Sequence, residues 1–162
     1  MPHQPVIDGL EFARTGAKLQ GSWPIADFRR LRDALHAESG ALSYALQGVP
    51  EEQGCPALRL RLGGTLQLVC QRCLGGLEFP LRIEVSLLLA ATQAEVDAVP
   101  VDAEGPDRIV AGREMPVHDL IEDELLLALP IAPRHEECAG RAAKGMSDGG
   151  SPFAGLRQIL KH

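Results

Sequence analysis

Between residues 57 and 90 the chain alternates apolar and polar positions with a period of two. Leu58, Leu60 and Leu62 are interleaved with Arg59 and Arg61, and Leu66, Leu68 and Cys70 keep the same parity beyond Gly63-Gly64. That period puts the leucines on one face of a strand. A Gly-Gly pair often closes a two-residue hairpin. Here such a turn would set Leu60 opposite Gln67 and Leu58 opposite Val69, so the leucines of the two arms would face apart. One continuous strand over 57–70, bent or bulged at Gly63-Gly64, is therefore predicted. Leu77, Phe79, Leu81, Ile83, Val85, Leu87 and Leu89 define a second strand, with Glu78, Arg82, Glu84 and Ser86 on its other face. Pro80 lacks an N–H and belongs at an edge or a bulge. Residues 71–76 join the two strands, so the turn of an antiparallel pair carries Cys70-Gln71-Arg72-Cys73.

The flanking patterns are shorter. Residues 17–23 and 41–48 read as strands, and 108–110 as a brief one. Ile25, Phe28, Leu31 and Leu35 predict an amphipathic helix over 24–37, with Arg29, Arg30 and Arg32 on its polar side beside Asp27 and Asp33. Residues 48–56, rich in Gly and Pro, read as a loop holding Cys55, and 91–107 as an acidic, mobile loop. Pro116 opens a helix that runs to Leu129. Val117, Leu120, Ile121, Leu125 and Ala128 form its apolar face, and Glu122, Asp123 and Glu124 fall mostly opposite. Leu126, Leu127 and Leu129 predict a fully buried helix end. Residues 1–138 thus form one α+β domain, a bent antiparallel sheet or partial barrel with two main helices. A flexible tether follows over 139–151, then a short amphipathic helix over 152–162 built on Phe153, Leu156, Ile159 and Leu160.

Composition narrows the classes of function. The 162 residues suit a single domain with a real core. No apolar run reaches the length of a membrane span, and the first twenty residues show no basic stretch followed by an apolar one, so a cytoplasmic protein is expected. Cys55, Cys70, Cys73 and Cys138 then read as thiols or metal ligands rather than disulfides. A formal net charge of −6 disfavours a general electrostatic grip on nucleic acid. It favours a protein partner, or a local basic patch on an acidic body.

The chemistry concentrates in two short pairs. Cys70 and Cys73 are separated by two residues, as are His135 and Cys138. That gap lets a tight knuckle turn both side chains to one ion, and Cys3His is a common closed set for structural zinc. The competing reading makes Cys70 a small buried hydrophobe and the other three incidental. Cys73 with His135 or His118 could be drawn as a nucleophile and base, but no oxyanion donor accompanies them. Glu122, Asp123 and Glu124 are neighbours on a helix and point apart, which does not suit acid/base work. A thioredoxin-like Cys-x-x-Cys opens a helix, whereas a strand–turn–strand is expected here. No glycine loop that would cradle a phosphate precedes a helix.

Four motifs follow one another: Cys70-Gln71-Arg72-Cys73-Leu74; Glu122-Asp123-Glu124 running into Leu125 through Pro130; His135 with Cys138; and Ser151-Pro152-Phe153-Ala154 with Leu156. In this order they resemble the YceD family, the large ribosomal RNA subunit accumulation proteins. The resemblance spans most of the chain. It implies a non-enzymatic factor for synthesis, processing or stability of large-subunit ribosomal RNA, with no catalytic residues. The expected partner is a ribosomal protein or an rRNA-processing factor, with direct RNA contact left open. Expected contacts are Arg72 in the turn, Glu122, Asp123 and Glu124 on the helix, and Phe153 and Leu156 in the tail. The alternative is a zinc- or thiol-dependent regulatory binding module.

Overall fold

The computed structural model describes residues 4–138. The chain runs β1 (Val6–Ile7), α1 (Gly9–Arg14), β2 (Lys18–Pro24), two 3-10 segments (Ile25–Asp27 and Arg29–Ala34), β3 (Leu35–Ala37), β4 (Ala41–Glu52), β5 (Cys55–Val69), β6 (Gly76–Ala90), α2 (Gln93–Asp97), β7 (Arg108–Val110), β8 (Met115–Pro116) and α3 (Val117–Ala128). The main sheet has the order β2-β4-β5-β6-β7, and β3 also pairs with β5. Its pairs are antiparallel except β6 with β7, which is parallel. The α+β class is the expected one. The sheet is mixed and open, with β2 and β7 as its two ends. The segments 139–151 and 152–162, including Phe153 and Leu156, lie outside the described residues.

β5 and β6 pair without a shift from Ala57↔Leu88 to Val69↔Gly76. The expected single strand forms, and no bulge interrupts this ladder at Gly63-Gly64. The glycines answer to the other neighbour instead. A Cβ at Gly64 would lie 3.1 Å from the Ala41 carbonyl oxygen and 3.3 Å from Leu42 Cδ1. Here β4 begins, and β5 exchanges β4 for β3, whose Leu35 pairs with Leu68. Pro80 stands opposite Thr65. Cys70 N–H donates to the Gly75 carbonyl, and alternation from that pair makes Thr65–Pro80 a non-hydrogen-bonded one. The missing N–H therefore faces the edge of β6, which pairs with β7 only at Leu88–Ala90.

Three expected elements are corrected. Residues 24–37 are not an α-helix. Ile25, Phe28 and Leu31 recur every three residues, the repeat of a 3-10 helix, and Phe28 N–H and Leu31 N–H bond to carbonyls three residues back. Residues 48–56 are not a loop: β4 and β5 continue to a turn in which Glu52 pairs with Cys55. Gln53 and Gly54 both have positive φ (52° and 80°), as a primed two-residue turn requires. Pro50 and Pro56 are tolerated because the register slips between Val49 and Glu52. Residues 91–107 include α2, capped by Thr92 Oγ1, while the Glu95 carboxylate accepts from Ala91 N–H at 3.0 Å.

One face of the sheet is covered. Leu42, Leu46, Leu58, Leu60, Leu66 and Leu68 are buried beneath Ile25, Phe28 and Leu31 of the 3-10 segments and Val117, Ile121 and Leu125 of α3. Burying each such side chain contributes about 1.5–3 kcal/mol. The end of α3 departs from expectation: Leu127 is 73% exposed. At β4, α1 passes so close over Gly48 that a Cβ there would collide with the Phe12 carbonyl and lie 2.8 Å from Ala13 Cα.

Candidate metal centre

β5 ends at Val69 and β6 begins at Gly76, leaving a six-residue turn. Its base is closed by Cys70 N–H to the Gly75 carbonyl (2.9 Å), and its fold by Leu74 N–H to the Cys70 carbonyl (2.8 Å). Leu74 adopts φ of 61°, which turns the chain back beneath Cys73. The second half of the site comes from beyond α3. Leu129 N–H bonds to Leu125, and Pro130 cannot continue the helix. The chain then runs alongside the turn, where the Pro133 carbonyl accepts Gln71 N–H at 2.8 Å. That bond sets His135 and Cys138 over Cys70 and Cys73.

The four ligand atoms all lie within 4.8 Å of one another. Cys70 Sγ is 3.6 Å from Cys138 Sγ. His135 Nδ1 is 3.4 Å from Cys73 Sγ and 3.8 Å from Cys138 Sγ. A tetrahedral zinc, with Zn–S about 2.3 Å and Zn–N about 2.0–2.1 Å, separates its sulfurs by about 3.8 Å and sulfur from nitrogen by about 3.6 Å. The three spacings given above are close to these values, and the four residues are positioned to hold a metal ion. Cys70 is fully buried and the other three are half-buried, which suits a closed site.

Outer contacts orient the ligands. His135 Nε2 is 2.9 Å from the Gly76 carbonyl oxygen, which requires Nε2 to carry a proton and leaves Nδ1 as the nitrogen that faces the sulfurs. Arg72 Nε donates to Cys138 Sγ at 2.9 Å, and its Nη2 reaches the carbonyls of His135 (3.3 Å) and Glu136 (3.4 Å). Burial pushes the Cys70 thiol up, but hydrogen bonds from Cys73, His135 and Arg72 outweigh it and bring it to about 5. The Arg72 guanidinium draws the Cys138 thiol down against burial, with help from His135. At Cys73 the Gly75 backbone lowers the thiol, yet Cys70, burial and Cys138 together hold it above its ordinary value. Cys70 and Cys138 are thus drawn toward the thiolate form in which a thiol binds a metal, and Cys73, the thiol drawn as a nucleophile from the sequence, is not.

The other expected site residues are distributed differently. Glu122 and Glu124 are not on an exposed face; they are 5% and 9% exposed. Glu122 Oε1 accepts the backbone N–H of Arg30 at 2.8 Å, and exposed Asp123 pairs with the Arg30 guanidinium. Burial, then Asp107 and Asp123, raise the Glu124 carboxyl above the ordinary range. Arg72 is exposed, but its guanidinium is engaged with Cys138 as described above. His118 stacks on Phe28 with ring centroids 4.6 Å apart, as part of the core rather than as a partner of Cys73. Cys55 lies in β5 near Arg108 and stands apart from the cluster. Sequence reading missed that Arg72 and Gly76 support the ligands. The cation inside the Cys-x-x-Cys turn was the available signal.

Residues 58–159 match the family described as large ribosomal RNA subunit accumulation protein YceD. No curated protein and no solved structure matches the chain. The matched span begins at the first leucine of the alternating β5 run and takes in both halves of the ligand cluster. It covers well over half of the sequence, so the chain belongs to the YceD family.

Proposed function

We propose that this protein supports synthesis, processing or stability of large-subunit ribosomal RNA in the cytoplasm, without catalytic turnover. Its family is named for accumulation of that RNA, and this carries the reading. The protein works as a binding factor, engaging a ribosomal protein, an rRNA-processing factor or the RNA itself. The Cys70, Cys73, His135 and Cys138 cluster holds a structural zinc. That ion locks the segment after α3 onto the β5–β6 turn and keeps the surface around Arg72 in one shape. A closed four-ligand set supplies stability and no open coordination position for chemistry. No described helix is long and apolar enough to cross a membrane.

The test is a depletion strain complemented with the wild-type chain or with Cys73→Ser. Large-subunit rRNA should fall relative to small-subunit rRNA on depletion and recover with the wild type. Unchanged rRNA at several growth temperatures would remove the reading. Failure of Cys73→Ser to complement, at normal protein level, ties the metal centre to function.

A further inference from the structure

We infer that the uncovered face of the sheet is a binding surface for the sugar-phosphate backbone of single-stranded RNA. On this face Lys18, Gln47, Arg59 and Ser86 lie in one row across β2, β4, β5 and β6. Gln20, Ala45, Arg61 and Glu84 form the next row, and Ser22, Ser43, Gly63 and Arg82 the third. Lys18, Arg61 and Arg82 are exposed and trace a diagonal across four strands. Two shallow depressions of about 320 and 440 Å³ lie along it and share Arg61. Arg59 and Arg61 pair with Glu52 and Glu84 at 3.0 and 2.9 Å. The Arg61–Glu84 pair is exposed, and such pairs exchange partners at little cost; Arg59 and Glu52 are partly buried. Among the described residues, Lys18 and Arg82 have no carboxylate within 4.0 Å. On a chain of net charge −6, Lys18, Arg59, Arg61 and Arg82 against Glu52 and Glu84 leave these rows locally basic.

The chemistry of the face selects RNA backbone over a protein. Protein interfaces anchor on buried aromatic and large apolar side chains. Between the cations this face presents Ser22, Ser43, Ala45 and Gly63, while the large exposed apolar residues, Leu74, Val110, Leu127 and Ile131 among them, lie elsewhere. Trp23, Phe28 and Tyr44 are buried in the core, so they offer the face no rings on which bases would stack. What remains is cations for phosphates, with Gln20, Gln47 and Ser43 for sugar hydroxyls. Recognition should therefore be salt-sensitive and tolerant of sequence. The choice of ligand class rests on the ribosomal RNA reading above, but the two fail separately. If depletion lowers large-subunit rRNA while the purified protein ignores RNA, only the sheet-face assignment falls.

The probe is a fluorescent 20-nucleotide oligoribonucleotide of mixed sequence, titrated with the full chain at several salt concentrations. A log–log salt slope of about −2 to −3 is expected, as for three or four phosphate contacts on a single strand. Lys18→Gln/Arg61→Gln/Arg82→Gln should bind at least tenfold more weakly with an unchanged thermal midpoint. Arg29→Gln/Arg113→Gln, away from the face, should bind as the wild type does. If the triple variant misfolds, each single substitution should flatten the slope by about 0.7. Absence of salt-dependent binding, or variants that bind with the wild-type affinity and slope, overturns the inference. So does loss of an acidic protein partner in the triple variant when RNA binding is nil.

Discussion

His135 Nε2 and the Gly76 carbonyl oxygen are 2.9 Å apart, and this contact decides which imidazole nitrogen is left for the three thiols. With Nε2 donating to that carbonyl, Nδ1 is the nitrogen turned toward Cys73 and Cys138. Protein purified without a tag should then carry one zinc per chain by elemental analysis. His135→Ala and Cys73→Ser should lose it, and Cys55→Ser should keep it. Wild-type protein without zinc under metal-replete expression would remove the ion from the site.

Arg72 acts on the ligands without being one. Its Nε lies 2.9 Å from Cys138 Sγ and its Nη2 reaches two carbonyls of the same segment. Arg72→Met should weaken metal affinity by about 10–100-fold, the usual cost of losing an outer-shell contact. Competition with a chromophoric chelator measures it. Wild-type affinity in the variant would show that the guanidinium does not tune the thiolate.

Glu122 closes a gap in the 3-10 segment by accepting Arg30 N–H at 2.8 Å. Glu122→Ala leaves that N–H without its acceptor and should cost about 1.5–3 kcal/mol in urea unfolding, the range for a hydrogen bond to a charged group. Glu122→Gln keeps an acceptor oxygen and should cost less. Equal costs for the two would mean that the carboxylate charge beside Arg30, which both variants remove, matters rather than the acceptor oxygen.

Glu124 predicts a pH dependence of definite sign. Its carboxyl is raised by burial, then by Asp107 and Asp123. Between the unfolded value, about 4.3, and the higher folded value, the native state binds more protons than the unfolded chain. Stability from this group is therefore complete below the unfolded value and is lost as pH rises through the folded one. Glu124→Gln should raise the thermal midpoint at pH 7 by about 1–4 °C and flatten its fall from acid to neutral pH. A midpoint lowered at pH 7 would count against burial as the dominant cause.

Gly48 tests the packing of α1 on the sheet. A methyl group there meets the Phe12 carbonyl and lies 2.8 Å from Ala13 Cα, both backbone atoms that cannot rotate away. Gly48→Ala should destabilise by about 3 kcal/mol or more, at the upper end for overpacking. Gly54→Ala adds nothing within 4 Å and is strained only by its φ of 80°. It should cost about 1–2 kcal/mol. Denaturant unfolding of both variants separates steric from conformational cost.

β5 and β6 were legible because their two faces differ in polarity, and a slip of one residue would have exposed every leucine. The segment from Ile25 to Leu31 was misread because a spacing of three fits a 3-10 turn and an α-helix alike. The turn at Gln53-Gly54 was hidden by Pro50 and Pro56, which read as loop until the slipped register accommodates them. Glu122 looked like surface on its own helix. Its acceptor role depends on Arg30, 92 positions away, which no local periodicity reports.

Parity, spacing and ordered motifs within short windows were enough to read the long antiparallel pair, the helix after Pro116, the four ligand types and the family. The convergence of the two ligand pairs, the imidazole nitrogen that faces the thiols and the burial of Glu122 and Glu124 emerge from the packed fold alone. Convergence depends on where α3 delivers the chain against the β5–β6 turn, and the Gln71 to Pro133 bond sets that. Such contacts join residues far apart along the chain, so they exist only once the core has packed.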